Sequence, residues 1–174
     1  MILKLKRTPG LYLVGFMACG KTTVGRMVAD ELGWSFADID EEIEAEQKMR
    51  ISQIFRERGE PEFRRIESEI LDRRVRTVRR GRPTVVALGG GAFAQKHNYE
   101  LLEENGVTVW LECPFAVLRQ RCGIDPTRPL SRDPKAMEQL FDLRREAYAR
   151  ADFKVDATPD AAAVCRAVLK LPIF

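Results

Sequence analysis

The sequence has few of the residues on which several common kinds of site depend. It contains one histidine, His97, which excludes catalysis by paired histidines and histidine-rich metal sites. The four cysteines form no C-x-x-C pair, which argues against a structural zinc site or a redox motif. No apolar run approaches the roughly 20 residues of a membrane-spanning helix. No signal peptide is predicted, because Lys4, Lys6 and Arg7 interrupt the first residues.

The excess of charge of one sign is also small. The 29 basic and 26 acidic residues leave a formal net charge of +3, which does not indicate a nucleic acid or a membrane surface as a partner. The composition, 45% hydrophobic and 32% charged, is that of an ordinary globular protein. We expect a single domain over residues 1–174, a monomer, in the cytoplasm with its thiols reduced.

Short apolar runs alternate with helical stripes along the chain. Strands are predicted at 11–14, ending near 38–40, at 84–88, at 107–112 and at 153–155, with helices between them. Between the second and third strands we expect one helix from about Ser52 to Gly59 and another from Pro61. Such alternation predicts a three-layer α/β/α fold, in which a five-stranded parallel sheet is the middle layer and helices cover both of its faces.

The segment from Gly15 to Thr22 fits the phosphate-binding pattern G-x-x-x-x-G-K-[ST], between a predicted strand and a predicted helix. Gly15 and Gly20 allow a tight turn in which backbone N–H groups point at phosphate oxygens. The helix that follows adds the positive end of its dipole. Lys21 is expected to reach the β- and γ-phosphates of ATP, and Thr22 to offer its hydroxyl to Mg²⁺.

The same loop occurs in GTPases, motor-type ATPases and small-molecule kinases, so the rest of the chain must decide among them. The N-K-x-D motif that reads guanine is absent. The 174 residues are too few for most remodelling ATPases. These absences favour a small-molecule kinase.

Asp38 and Asp40 are the best candidates for catalytic and metal-binding acids, because the strand from 84 to 88 runs into glycines. Alternate residues of a strand share a face, so we expect both carboxylates to point into one cleft at the carboxyl edge of the sheet. One would attend to the metal and the other would accept the proton of an attacking hydroxyl. Alternatively, both are solvated, or one caps a helix that begins near Glu41. Glu112 is a weaker competitor.

Three further features have both a structural and a functional interpretation. Arg144 falls on the apolar stripe of its predicted helix, where it either extends out to solvent or points into a site that needs a positive charge. Arg64 and Glu67 are one helical turn apart, as in a simple ion pair. The segment Gly89–Gly91 is either a plain turn or a backbone that approaches a ligand closely.

A stretch rich in Pro, Asp, Arg and Thr, from Gly123 to Pro134, is predicted as a mobile lid over the active site. Arg121 and Arg128 bracket its first half. An arginine that folds over the γ-phosphate would stabilise the charge of phosphoryl transfer. The alternative is an ordinary exposed loop.

Together these segments resemble the shikimate kinase family. The resemblance rests on LVGFMACGKTTVGR, FADIDEEIE, ISQIFRERGEPEFRRIESEIL, VVALGGGAF, RCGIDPTRPL and RREAY, which occur in that order from about 13 to 156. It implies a fold like that of the nucleoside monophosphate kinases, with a substrate-binding region at about 36–70 and a lid at about 122–134. It also implies a phosphotransferase that uses ATP and Mg²⁺ to convert shikimate to shikimate 3-phosphate in aromatic amino-acid biosynthesis.

The resemblance also implies roles for individual residues. Those that bind the nucleotide are Gly15, Ala18, Cys19, Gly20, Lys21, Thr22, Thr23, Arg121 and Arg128, with Arg121 lying against adenine. Those that bind the metal are Thr22 and Asp38. Those that bind shikimate are Asp40, Phe55, Phe63, Arg64, Glu67, Gly89, Gly90, Gly91 and Arg144. Those that act in catalysis are Lys21, Asp40 and Arg128. Arg64 and Arg144 would grip the carboxylate of shikimate, with Arg64 oriented by Glu67.

The chain departs from the family pattern in two places. Ala18 and Cys19 stand where the family usually has Gly followed by a small residue, and R-R-E-A-Y lacks the proline of R-x-P-L-Y. The second departure leaves Arg144 and Arg145 as alternatives, of which the apolar stripe favours Arg144. Two other functions stay open: a kinase of another hydroxy acid such as gluconate, and a sensing domain without useful catalysis.

Overall fold

The structure, a computed structural model, describes residues 10–123 and 133–173 of the chain. Its five strands are β1 (Gly10–Val14), β2 (Ser35–Asp38), β3 (Thr84–Ala87), β4 (Val107–Glu112) and β5 (Phe153–Asp156). The α-helices in these ranges are α1 (Lys21–Leu32), α2 (Ile39–Gln47), α3 (Ile51–Arg79), α4 (Lys96–Asn105), α5 (Phe115–Cys122), α6 (Pro134–Tyr148) and α7 (Ala161–Leu169). A 3₁₀ turn at Ala92–Ala94 follows β3.

All strands pair in parallel, in the order β2-β3-β1-β4-β5. The central strand β1 pairs with β3 and β4, so that Leu13 lies beside Ala87 and Val109. The carboxyl ends of these three strands therefore meet at one edge, where open α/β sheets bind ligands. The predicted α/β fold with a five-stranded parallel sheet is confirmed.

The core follows from the continuous apolar runs of the central strands. Every residue of β1 and β3 is buried, as expected for strands that are covered on both faces. The predicted apolar stripe of α3 is buried as well, at Phe63, Ile66, Ile70, Leu71, Val75 and Val78.

Helix α3 is interrupted where the sequence predicts one helix to end and another to begin. Gly59 has φ 81° and ψ 168°, far from helical values, and Pro61 follows in the first turn of the second half. The interruption separates a short first half from the long second half that contains Phe63, Arg64 and Glu67.

Among the residues that the structure describes, no helix is both long enough and apolar enough to cross a membrane.

Gly106, just before β4, is a position where backbone and side chain approach too closely for any Cβ atom. A Cβ there would lie 2.5 Å from the carbonyl oxygen of Gly10 and would overlap the buried ring of Tyr12. We expect Gly106→Ala to lower the free energy of unfolding by about 1–3 kcal/mol, because neither neighbour can move without disturbing β1. Urea denaturation measures this loss.

Gly33→Ala is the control for this prediction. Its Cβ would meet nothing within 4 Å, but the residue has φ 64°, so the variant isolates the left-handed backbone, which costs about 1 kcal/mol. A loss in Gly106→Ala that is smaller than the loss in Gly33→Ala would contradict the crowding at Gly106.

Candidate active site

The loop between β1 and α1 has the backbone of a phosphate cradle. Gly15 has φ 145°, and a Cβ there would lie 2.8 Å from the carbonyl oxygen of Leu111 and 2.9 Å from Sγ of Cys19. Gly20 is left-handed, with φ 96°, and immediately precedes α1. Glycine is therefore required at both positions, and the loop ends at the positive end of the α1 dipole, as predicted.

Lys21 is held against this loop. Its Nζ donates to the carbonyl oxygens of Gly15 (2.8 Å) and Phe16 (2.9 Å), and lies 3.7 Å from Sγ of Cys19. The Cys19 side chain is only 2% exposed, so it faces inwards and cannot present its thiol to a ligand. The ammonium is thus the charged group that the loop offers.

Asp38 ends β2 and caps α2, which corrects one prediction. Its Oδ1 accepts from the backbone N–H groups of Asp40 (3.0 Å) and Glu41 (3.3 Å). The prediction that Asp38 and Asp40 share the face of a strand is wrong, because Asp40 lies in the first turn of α2. The alternative, a helix cap, is confirmed: aspartate is a strong N-cap, and the cap turns the chain out of the strand.

The second oxygen of Asp38 forms a pair that suits a magnesium ion. Thr22 Oγ1 donates to Asp38 Oδ2 at 2.6 Å, which brings a hydroxyl and a carboxylate oxygen together beside the loop. Mg²⁺ prefers oxygen ligands and takes only one or two carboxylates, with phosphates and waters for the rest. Within the described ranges no group of three or more His, Cys, Asp or Glu side chains could hold a metal. The pair therefore fits a metal that arrives with a nucleotide.

Asp40 and Glu67 converge on the first glycine after β3. A Cβ at Gly89 would lie 2.6 Å from Oδ1 of Asp40 and 2.7 Å from Oε1 of Glu67. Glu67 is wholly buried, and its Oε1 has no hydrogen-bond partner among the described residues. A buried acceptor oxygen without a donor is costly, and this cost falls on the corner of the site where the two acids meet.

Two guanidinium groups lie against the next two glycines. A Cβ at Gly91 would lie 2.7 Å from Cζ of Arg64, and one at Gly90 would lie 3.2 Å from Nη1 of Arg144. Arg64 Nη1 donates to Glu67 Oε2 at 2.7 Å, so the intrahelical ion pair is present too. The two interpretations of Arg64 are thus compatible: Glu67 orients it, and the guanidinium faces the glycines.

The glycine segment also adjoins the phosphate loop. A Cβ at Gly90 would lie 3.8 Å from the backbone nitrogen of Met17. A group bound at Gly89–Gly91 is therefore next to a group bound in the loop, which is the arrangement that transfer between two ligands requires.

Comparison with known proteins agrees with this arrangement. The shikimate kinase family model matches residues 17–171. The shikimate kinase of Persephonella marina is 41% identical over 146 residues, which are 83% of this chain and 87% of that protein. That of Moorella thermoacetica is 40% identical over 164 residues, 92% of each chain. The chain belongs to the shikimate kinase family.

A solved shikimate kinase has the same fold. The enzyme from Acinetobacter baumannii, in complex with shikimate, is 34% identical, and the match covers 98% of this chain and 96% of that one with a TM-score of 0.87.

One departure from the shikimate kinase pattern has a visible consequence. Ala18 has φ 63°, in the left-handed region that glycine adopts freely and alanine does not. The conformation explains why a glycine is usual at this point of the loop, and holding an alanine there costs about 1 kcal/mol.

The second departure concerns Arg144 and Arg145. Arg144 is half-buried and faces Gly90, whereas Arg145 is exposed. Burial lowers the pKa of Arg144, and the neighbouring Arg64 cation acts in the same direction. Since two partly desolvated cations repel each other, an anion bound between them would be strongly favoured.

Tyr148, the last residue of the R-R-E-A-Y segment, is a site residue for which the sequence analysis predicted no role. Its hydroxyl donates to the carbonyl oxygen of Gly90, which holds the central glycine of the segment against α6. Its burial raises the pKa of the phenol, so the hydroxyl keeps its proton. The available signal was chemical, because a buried tyrosine on an apolar stripe needs a partner for its hydroxyl.

The structure places the remaining predicted residues as follows. Phe55 and Phe63 stack at 4.5 Å between ring centroids, on either side of the break in α3. Thr23 is exposed on α1. Arg121 Nη2 donates to the carbonyl oxygens of Thr158 (2.9 Å) and Pro159 (3.4 Å), in the loop between β5 and α7.

The predicted lid, about 122–134, lies outside the described residues except at its two ends. Arg128 lies outside them as well.

The charge state of Asp40 is set by its surroundings. Burial, together with the carboxylates of Asp38 and Glu67, raises the pKa of Asp40 to about 7, although Lys21 and Arg64 oppose the shift. Burial likewise raises the pKa of Glu67, despite its ion pair with Arg64. Near neutral pH, Asp40 can therefore both accept and release a proton.

This pKa predicts how the stability of the ligand-free protein depends on pH. Because the folded-state pKa of Asp40 lies above the unfolded value, its contribution favours folding at low pH and is lost as the pH rises from about 4 through 7. Asp40→Asn removes the buried charge. We expect it to raise the free energy of unfolding at pH 8 by about 2 kcal/mol, less than the full shift because the carboxylate is partly open to solvent.

Urea denaturation at pH 5 and pH 8, without nucleotide, Mg²⁺ or shikimate, measures this effect, which should shrink at pH 5. Asp142→Asn, on the exposed face of α6, is the matched control and should change neither curve. Equal stability of Asp40→Asn and the parent protein at pH 8 would refute the assignment.

Proposed function

We propose that the protein transfers the γ-phosphoryl group of ATP to a hydroxyl of shikimate, giving ADP and shikimate 3-phosphate. The observation that carries this proposal is the convergence of two acids and two arginines on Gly89–Gly91 beside a phosphate loop. Shikimate is a ring with hydroxyl groups on one side and a carboxylate on the other. Asp40 offers an acceptor for the hydroxyls, and Arg64, held by Glu67, and Arg144 offer donors for the carboxylate. The solved Acinetobacter baumannii relative contains shikimate, which supports the same ligand here.

In this proposal the nucleotide phosphates lie in the loop from Gly15 to Thr22. Lys21 and the N-terminus of α1 would neutralise their charge. Thr22 and Asp38 would hold Mg²⁺, which when bound would offset negative charge on the β- and γ-phosphates. Arg128 in the lid and Arg121 beside adenine stay predictions, as do the monomeric state and the cytoplasmic location.

Asp40 would act on the attacking hydroxyl. As the hydroxyl oxygen bonds to the γ-phosphorus, the bond from that phosphorus to the bridging oxygen of ADP breaks, and the hydroxyl proton passes to Asp40. A carboxylate whose pKa is about 7 holds that proton well enough to help and releases it readily afterwards. Glu67 would hold Arg64 in place.

A coupled assay for ADP release, with ATP and Mg²⁺, tests the function directly. The panel is shikimate, quinate, gluconate and buffer alone, and we expect strong release only with shikimate. Lys21→Met should reduce that release by about a hundredfold or more, because a cation on the transferred phosphoryl group is lost. ADP release with gluconate alone would identify gluconate, and not shikimate, as the substrate. Nucleotide binding without ADP release would favour a sensing domain.

Arg144 and Arg145 can be separated by substitution. We expect Arg144→Ala to raise the KM for shikimate about 10- to 100-fold, since a charge-assisted hydrogen bond to a carboxylate contributes about 1.5–3 kcal/mol. Arg145→Ala removes an equal charge from the exposed face of the same helix and should leave KM within about twofold. The reverse pattern would give the substrate contact to Arg145.

A further inference from the structure

Arg64 makes two ion pairs of unequal quality. Its Nη1 lies 2.7 Å from Oε2 of Glu67, a side chain with no exposure. Its Nε and Nη2 lie 3.3 and 3.2 Å from a single oxygen of Glu60, a side chain that is 61% exposed. Charge-assisted N–H···O bonds are ordinarily about 2.7–2.9 Å long. The contact with Glu60 is therefore the weaker one, and it is open to water.

Glu60 occupies the edge of the guanidinium that a carboxylate ligand needs. An arginine binds a carboxylate best through two parallel N–H groups on one edge. Nη1 already donates to Glu67. The edge formed by Nε and Nη2 is therefore the one on which neither nitrogen is bound to Glu67. Glu60 lies on that edge, and Nη2 is also the atom that crowds against Gly91.

The backbone at this point lets Glu60 leave. Gly59 has a non-helical backbone, so Glu60 lies at the start of the second half of α3. The helical turn that precedes Gly59 therefore does not constrain the side chain of Glu60. Its exposed carboxylate can be solvated by a change of rotamer alone. Its negative charge acts on Arg144 as well as on Arg64, so it partly neutralises both arginines proposed to bind the substrate.

We propose that Glu60 is a displaceable internal carboxylate, which occupies the Nε/Nη2 edge of Arg64 until the carboxylate of the substrate replaces it. This inference rests on the proposed function, because it takes shikimate as the ligand of Arg64. Exchanging one carboxylate for another yields little net affinity. Small acids that offer only a carboxylate are therefore disfavoured, and ligands that also bring hydroxyl groups to Asp40 are selected.

Two other roles of Glu60 make different predictions. An acidic residue at the start of a helical segment can simply favour the helix dipole, in which case its removal lowers stability and leaves the KM unchanged. If Glu60 instead holds Arg64 in its productive orientation, its removal raises the KM.

Glu60→Gln separates these roles. We expect the KM for shikimate to fall about two- to fivefold with kcat unchanged, the range that exposed ion pairs contribute. The gain should shrink at high salt, because it is electrostatic. Inhibition by 1-cyclohexenecarboxylate, which has the ring and carboxylate but no hydroxyls, should strengthen by at least the same factor. A structural role would not move this inhibition constant.

Glu69→Gln is the matched control. Glu69 is 59% exposed, pairs with Arg65 on the same helix and stays outside the site. The KM of Glu69→Gln for shikimate should equal that of the parent protein. A KM that is unchanged or raised in Glu60→Gln, or an equal fall in Glu69→Gln, would overturn the role of Glu60.

Calorimetric titration with 1-cyclohexenecarboxylate tests the role of Glu60 separately from the proposed function, because it measures binding without phosphoryl transfer. Tighter binding to Glu60→Gln in a protein that does not phosphorylate shikimate would contradict the proposed function alone. Equal binding to both proteins would contradict the role of Glu60 whatever the substrate.

Discussion

The site depends on how closely charged side chains approach the backbone that follows β3. A residue with a side chain of its own would not fit there. Atoms of Asp40, Glu67 and Arg64 occupy the space that a Cβ at Gly89 or Gly91 would fill. These charged side chains come from α2 and α3, and only a bare backbone lets them meet over the end of β3. Glycine at positions 89 and 91 therefore allows these three charged side chains to pack together.

The charges gathered there are unfavourable to the empty protein. Glu67 is wholly buried with one oxygen unpaired, and its proximity adds to the burial that raises the pKa of Asp40. Arg144 is partly desolvated beside a second cation. An anion bound between Arg64 and Arg144 would relieve the repulsion between the two cations. The exposed Glu60 moderates this, since it satisfies part of Arg64 without being locked in place.

The fold and the phosphate loop could be predicted because their signals are local. Continuous apolar runs predict the buried strands, and the spacing of Gly15, Gly20 and Lys21 predicts the loop. The relation of Asp38 to Asp40 could not be obtained from strand periodicity, because the cap formed by Asp38 ends the strand between them. The contact of Tyr148 with Gly90 joins residues that are far apart in the chain. It depends on how α6 packs against the glycine segment, which residue spacing does not encode.

Helix α6 makes the nucleotide and substrate sides of the cleft dependent on each other. Phe141 on this helix packs edge-on against Phe16 of the phosphate loop, at 5.5 Å between ring centroids. One turn further on, the guanidinium of Arg144 lies over the same ring, and Tyr148 then holds the carbonyl of Gly90. A rigid helix moves its side chains together. Any shift of α6 therefore moves three things together: the contact of Phe141 with the loop, the guanidinium of Arg144 and the contact of Tyr148 with Gly90. Its N-terminus follows directly on the segment predicted to be the lid. That segment is therefore joined in the chain to the helix that contacts both the phosphate loop and the glycine segment.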